Sequence, residues 1–137
     1  MLNVENLNYW AVLVAAVINM VVGSFWYSKQ GFGKPWAAAA KVKLEDMMKD
    51  NAGAAYTMTT VAAVAQSFLL AVLVHNLAVT TVGKAVELGV LLWVGFVAAC
   101  TISDTMFTGR SMRLWQINQG YYLLVLVANS VLLALWY

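Results

Sequence analysis

Asp104 is an acid inside an otherwise apolar run, close to the end where Arg110 and Arg113 follow. An ionisable group at that depth needs a partner, and Arg110 is the first choice, with Tyr27 and Asn118 within reach of the same membrane face. Two chemistries are open to the cluster of Asp104, Arg110, Asn118 and Tyr27. One is an ion pair that fixes a turn; the other is gating, headgroup binding or action on a lipid. Asn19, Gln66 and Asn129 are amides far inside apolar runs. They are either interhelical hydrogen-bonding groups, worth about 0.6 kcal/mol each, or the lining of a polar path. No acid or base accompanies them at that depth, as proton-coupled carriage requires. The single proline, Pro35, lies outside the apolar runs, so the broken helices of carriers are not expected. His75 has no second histidine and no nearby cysteine, which favours an interfacial hydrogen bond over zinc. Ser24, Ser28 and Ser67 have no histidine near them in sequence, and the carboxylates are scattered, so neither a nucleophile with its base nor an acid pair assembles. Gly31-Phe32-Gly33-Lys34 lacks the strand and spacing of a phosphate loop. No catalytic, cofactor or metal residues are assigned.

The elements that must position these side chains follow from composition. The 137 residues are 63% hydrophobic and 10% charged, against roughly 45 to 50% and about 25% in soluble domains. So small a domain cannot hide that much hydrocarbon from water, and a bilayer must solvate it. Crossing about 30 Å of hydrocarbon takes some 20 apolar residues. Four stretches qualify, near 8–27, 55–77, 86–107 and 114–136, within one domain. Aromatic residues mark their edges, among them Tyr9, Trp10, Trp26, Tyr27, Tyr56, Trp115, Trp136 and Tyr137, as amphipathic rings at the headgroup level do. The first stretch is not a cleaved signal, because Glu5 precedes it and Lys29 and Lys34 follow, the inverse of a signal peptide's charge order. Cys100 is the sole cysteine, which excludes an intrachain disulfide.

Sidedness follows from the basic residues. Lys29, Lys34, Lys41, Lys43 and Lys49 occupy the first connector, and Arg110 and Arg113 the third, while Lys84 and the amino terminus stand on the other side. The positive-inside bias places the first and third connectors in the cytoplasm and both termini outside. Within the first connector, Trp36, Ala40, Leu44, Met47 and Met48 share one helical face opposite Lys41, Glu45, Asp46 and Lys49. This predicts an amphipathic interfacial helix over about 35–50, begun by Pro35. Trp36, Lys41 and Lys43 are its expected contacts with anionic headgroups; a partner-docking helix would have the same pattern. The basic residues flank apolar runs, so no nucleic-acid partner is implied.

Four rows of small or polar residues recur at helical spacing: Ala11, Ala15, Asn19 and Gly23; Ala55, Thr59, Ala63 and Ser67; Gly95, Ala99 and Ser103; and Asn118, Tyr122, Val125 and Asn129. Small residues let helices approach in a membrane. Each row is expected to face inward, giving an all-α integral membrane four-helix bundle.

Asn8-Tyr9-Trp10-Ala11-Val12, Gly23-Ser24-Phe25-Trp26-Tyr27-Ser28 and Phe32-Gly33-Lys34-Pro35-Trp36 stand in the first half of the chain. Leu92-Trp93-Val94-Gly95-Phe96, Phe107-Thr108-Gly109-Arg110-Ser111 and Ile117-Asn118-Gln119-Gly120-Tyr121 stand in the second. In order and spacing, over nearly the full length, these passages resemble the small bacterial and fungal membrane proteins grouped as domain of unknown function 1761. The resemblance implies four spans and residence in the bacterial inner membrane, and no activity. Three functions stay open: a non-enzymatic component that packs into an oligomer or larger membrane complex, an oligomeric channel or carrier for a small solute, and a lipid-active enzyme at the cytoplasmic face.

Overall fold

Asn8 starts the first helix: its side chain accepts from the Ala11 N–H at 3.1 Å, which satisfies one of the donors left open at a helix start. The computed structural model describes residues 1–43 and 52–136. Over these the chain forms α1 (Tyr9–Trp26), α2 (Gly33–Ala40), α3 (Ala52–Asn76), α4 (Val82–Leu92), a π-helical segment (Trp93–Ala98), α5 (Ala99–Thr108) and α6 (Met112–Leu135). Thr81 caps α4 by accepting from Lys84 N–H at 3.4 Å, so the third span starts before the apolar run itself. Gly109 ends α5 in the left-handed conformation at φ 68°, the backbone state glycine adopts without steric penalty. Ser111 occupies the cap position of α6, but its side chain makes no capping bond.

Among the described residues four helices are long and apolar enough to cross a membrane: Tyr9–Trp26, Ala52–Asn76, Val82–Thr108 and Met112–Leu135. They alternate in direction. Asn3 and Asn76 exchange hydrogen bonds of 2.7 and 2.8 Å, and Asn8 donates to the Trp136 carbonyl at 3.4 Å. Both termini and the α3–α4 connector therefore share one end, the terminal end. Lys29, Lys34, Lys41, Lys43, Arg110 and Arg113 lie at the opposite, connector end.

The helices do not form a square in which all four face inward. α6 is the hub, packed by α1, α3 and α4; α1 and α3 also pack on each other, whereas the third span leans chiefly on α6. The row Ala11, Ala15 and Asn19 is buried in this core, and so are Ala63 and Ser67. Ala55 and Thr59 are exposed, as are Gly95, Ala99 and Ser103. The third row thus departs from the expectation. At about 100° per residue Gly95 already stands about 100° from buried Ala85 and Gly89, and an uninterrupted helix would turn Cys100 and Ser103 toward α6. The wider i→i+5 turn takes up one extra residue, so Val97, Ala98, Thr101 and buried Thr105 take the inner face instead.

The first connector also differs. α2 begins at Gly33, two residues before Pro35, and ends at Ala40. Lys41 is left-handed at φ 58°, and the Val42 N–H reaches back to the Ala37 carbonyl at 3.0 Å, the closure of a Schellman motif. Among the described residues the expected 35–50 helix is therefore interrupted at Lys41, with its first stretch running Gly33–Ala40. Leu44, Glu45, Asp46, Met47, Met48 and Lys49 lie outside the described residues.

Candidate functional site

The polar interior lies where α1, α3 and α6 meet. Asn129 Nδ2 donates to Asn19 Oδ1 at 2.6 Å and to the Ala15 carbonyl at 3.3 Å. Asn19 Nδ2 in turn donates to Gln66 Oε1 at 2.8 Å. Three amides on three helices thus form a relay from α6 through α1 to α3. Asn19 and Asn129 are 3% and 1% exposed, so the relay is closed over most of its length. Ala11 and Ala15, both fully buried, let α1 come close enough for Asn129 to reach a backbone carbonyl. The Tyr121 hydroxyl adds a bond to the Asn19 carbonyl at 2.9 Å.

A second polar node was not anticipated from the sequence. Thr101 Oγ1 accepts from Trp115 Nε1 at 2.9 Å and from Gln119 Nε2 at 3.0 Å, and donates to the Val97 carbonyl at 2.7 Å. Only the shifted phase after the π segment turns Thr101 toward α6. Regular periodicity conceals it.

At the connector end the cluster Asp104, Arg110, Asn118 and Tyr27 separates into two pairs. Arg110 lies 3.7 Å from Asp104, with both side chains more than 60% exposed. The Tyr27 hydroxyl donates to Asn118 Oδ1 at 2.7 Å in a partly buried setting. A phenol is neutral at physiological pH, so the Tyr27 hydroxyl is available as a donor. No hydrogen bond or ion pair joins the two pairs among the described residues.

Tyr27 belongs to an aromatic module that the sequence presents only as edge markers. Its ring meets Trp36 edge-on at 5.5 Å and Tyr121 at 5.6 Å, while Trp26 packs on Phe32 at 4.5 Å. Such tilted pairs contribute about 0.5–1.5 kcal/mol beyond their burial. Trp26 Nε1 donates to the Ile117 carbonyl at 3.0 Å. Its ring fits over Gly120, where an added Cβ would stand 2.8 Å from the indole. Trp36 is half-buried, while Lys41 and Lys43 are exposed. The detectable signals were a glycine inside a helical run, which implies a packing reason, and an indole N–H that needs an acceptor.

His75 lines a cavity of about 80 Å³ at the terminal end, together with Asn6, Leu7, Asn8, Val74 and Trp136. Among the described residues no group of three His, Cys, Asp or Glu side chains gathers in a metal-binding arrangement.

Fold and interior define an all-helical protein with four helices able to cross a membrane and an amide relay at their junction. Its sequence matches the family described as "Protein of unknown function (DUF1761)" over residues 10–134, and the chain belongs to that family. No curated protein and no solved structure matches it.

Proposed function

We propose that the protein is a non-enzymatic integral membrane component that assembles with further copies of itself, using the outer face of the third span. The supporting observation is that this span leans chiefly on α6 while Gly95, Ala99 and Ser103 point away from the chain's own core. An added Cβ at Gly95 would meet nothing within 4 Å, so intrachain packing does not require glycine there, although glycine weakens a helix by about 1 kcal/mol relative to alanine. Small residues in such a row allow close helix approach in lipid. The bacterial inner membrane is the proposed residence. Both termini lie outside, the first and third connectors face the cytoplasm, and the lysines of the first meet anionic headgroups of that leaflet.

The relay weighs against a solute path through one chain, because Asn19, Gln66 and Asn129 bond to one another. The separation of Asp104 and Arg110 from Tyr27 and Asn118 weighs against a lipid-active centre built from all four.

Cys100, exposed on the third span, provides the test. Treating native membranes with a short bismaleimide should yield a dimer-sized product that the double change Gly95→Leu, Ala99→Leu abolishes. Cross-linking no greater than random collision, at every protein-to-lipid ratio, would reject assembly through this face.

A further inference from the structure

The cavity of about 80 Å³ at the terminal end changes character with depth. Four of its lining residues, Ala11 of α1, Ala71 and Val74 of α3 and Leu133 of α6, are buried and belong to the main apolar core. They form an apolar floor. Asn6, His75 and Trp136 line it too but are partly or fully exposed, which sets three polar side chains at the mouth. Among the described residues no hydrogen bond engages the Asn6 amide, the His75 imidazole or the Trp136 indole N–H. Asn8, in the same wall, differs: its amide is engaged by the Ala11 N–H and the Trp136 carbonyl.

One wall comes from the segment that precedes α1, and specific contacts hold it there. Asn3 and Asn76 tie that segment to the end of α3 through bonds of 2.7 and 2.8 Å. Asn6 then turns the chain in the left-handed conformation at φ 61°, a state asparagine enters more readily than most residues. The turn buries Leu7, which is 8% exposed, and leaves Asn6 at the mouth. Small side chains make the room, because Ala11 and Ala71 stand in the lining where longer ones would take up the volume. An apolar pocket with a few converging polar groups is the usual form of a small-molecule site.

We propose that this cavity binds a small neutral amphiphile, a short hydrocarbon body that carries one hydroxyl or carboxamide. Size sets the body: an apolar cavity of about 150 Å³ holds benzene, so about half that volume holds three or four carbons. The floor offers water no partners, and apolar cavities stay dry. The mouth sets the head group. Asn6 and a neutral His75 each donate and accept, while Trp136 only donates, which suits a group that does both. No lysine, arginine, aspartate or glutamate stands among the described residues of the lining, and a charge over an apolar floor would lose its hydration uncompensated. The occupant is therefore neutral. The inference is independent of self-assembly, since none of the lining residues lies on the third span.

The test uses the chain's single histidine, whose isotopic labelling gives one NMR reporter at the mouth of the cavity. In the full-length protein in bilayers at fixed pH, 1-butanol should move the His75 imidazole resonances along a saturating curve. Butyrate and n-butylammonium at equal concentrations should leave them in place. Ala71→Leu, which fills the floor from α3, should abolish the saturating response; Leu133→Phe, which fills it from α6, should do the same. Unchanged Asn19 and Gln66 side-chain shifts report that each variant keeps its fold. A response to 1-butanol that stays linear wherever the bilayer is intact is partitioning into lipid, and it overturns the proposal whatever the variants do. Saturation that persists in a folded, filled variant overturns it as well, as does equal saturation by either charged probe.

Discussion

Asn19 uses both ends of its amide, accepting from Asn129 and donating to Gln66. Replacing it with leucine therefore strips Gln66 Oε1 of its donor and leaves Asn129 with the Ala15 carbonyl alone, and a stranded buried group costs about 1–3 kcal/mol. Asn19→Leu should lower unfolding stability in mixed micelles by an amount in that range. Asp104→Asn, at an exposed ion pair, should change stability by less than about 0.5 kcal/mol. Equal effects from the two substitutions would contradict this ranking. Gly120 makes a steric prediction instead of a polar one. A methyl group there collides with the Trp26 ring, and overpacking costs about 1–3 kcal/mol. Gly120→Ala should carry that penalty in the native chain and lose most of it when Trp26 is already alanine, because contacting residues couple. A fully additive double-mutant cycle would separate the two positions.

At the scale of the element, the π segment Trp93–Ala98 behaves as one residue inserted into a long helix. Deleting exposed Val94 should let the span revert to regular α-helix and leave Thr101 facing Trp115 and Gln119. Deleting Ile102, beyond the segment, should rotate the rest of α5 by about 100° and carry Thr105 off the α6 face. Maleimide labelling of cysteines placed singly at positions 101 and 105 in each deletion background, with Cys100→Ala throughout, checks this. The first deletion should preserve protection at both sites, and the second should lose it at position 105. α2 carries a related lesson. Its pattern continues past Ala40, yet the left-handed Lys41 and the Val42-to-Ala37 bond close the helix, because propensity and periodicity are weak against a local capping geometry that closes the last turn.

For the whole molecule, the prediction concerns sidedness. In oriented inner-membrane vesicles, a cysteine at Lys43 should react with a membrane-impermeant maleimide from the cytoplasmic face only, and one at Lys84 from the opposite face, in a Cys100→Ala background. The reverse pattern would invert the proposed orientation. The number of spans and their approximate limits, and the separation of Lys29, Lys34, Lys41, Lys43, Arg110 and Arg113 from Lys84, were determined by the sequence alone. Those properties are sums over neighbouring residues, and lipid reads apolar length and charge one stretch at a time. Which faces meet was decided only in three dimensions. Lipid is as apolar as the core, so a leucine facing outward looks like one facing inward. Polar residues were the exception that could be read ahead: Asn19, Gln66 and Asn129 stand out in a row of hydrocarbon, and the structure brings them together. Thr101 and the Trp26–Gly120 contact could not be paired in advance. Their places depend on a one-residue change of helical phase and on α6 lying at the centre, and both arise from packing between segments far apart in the chain.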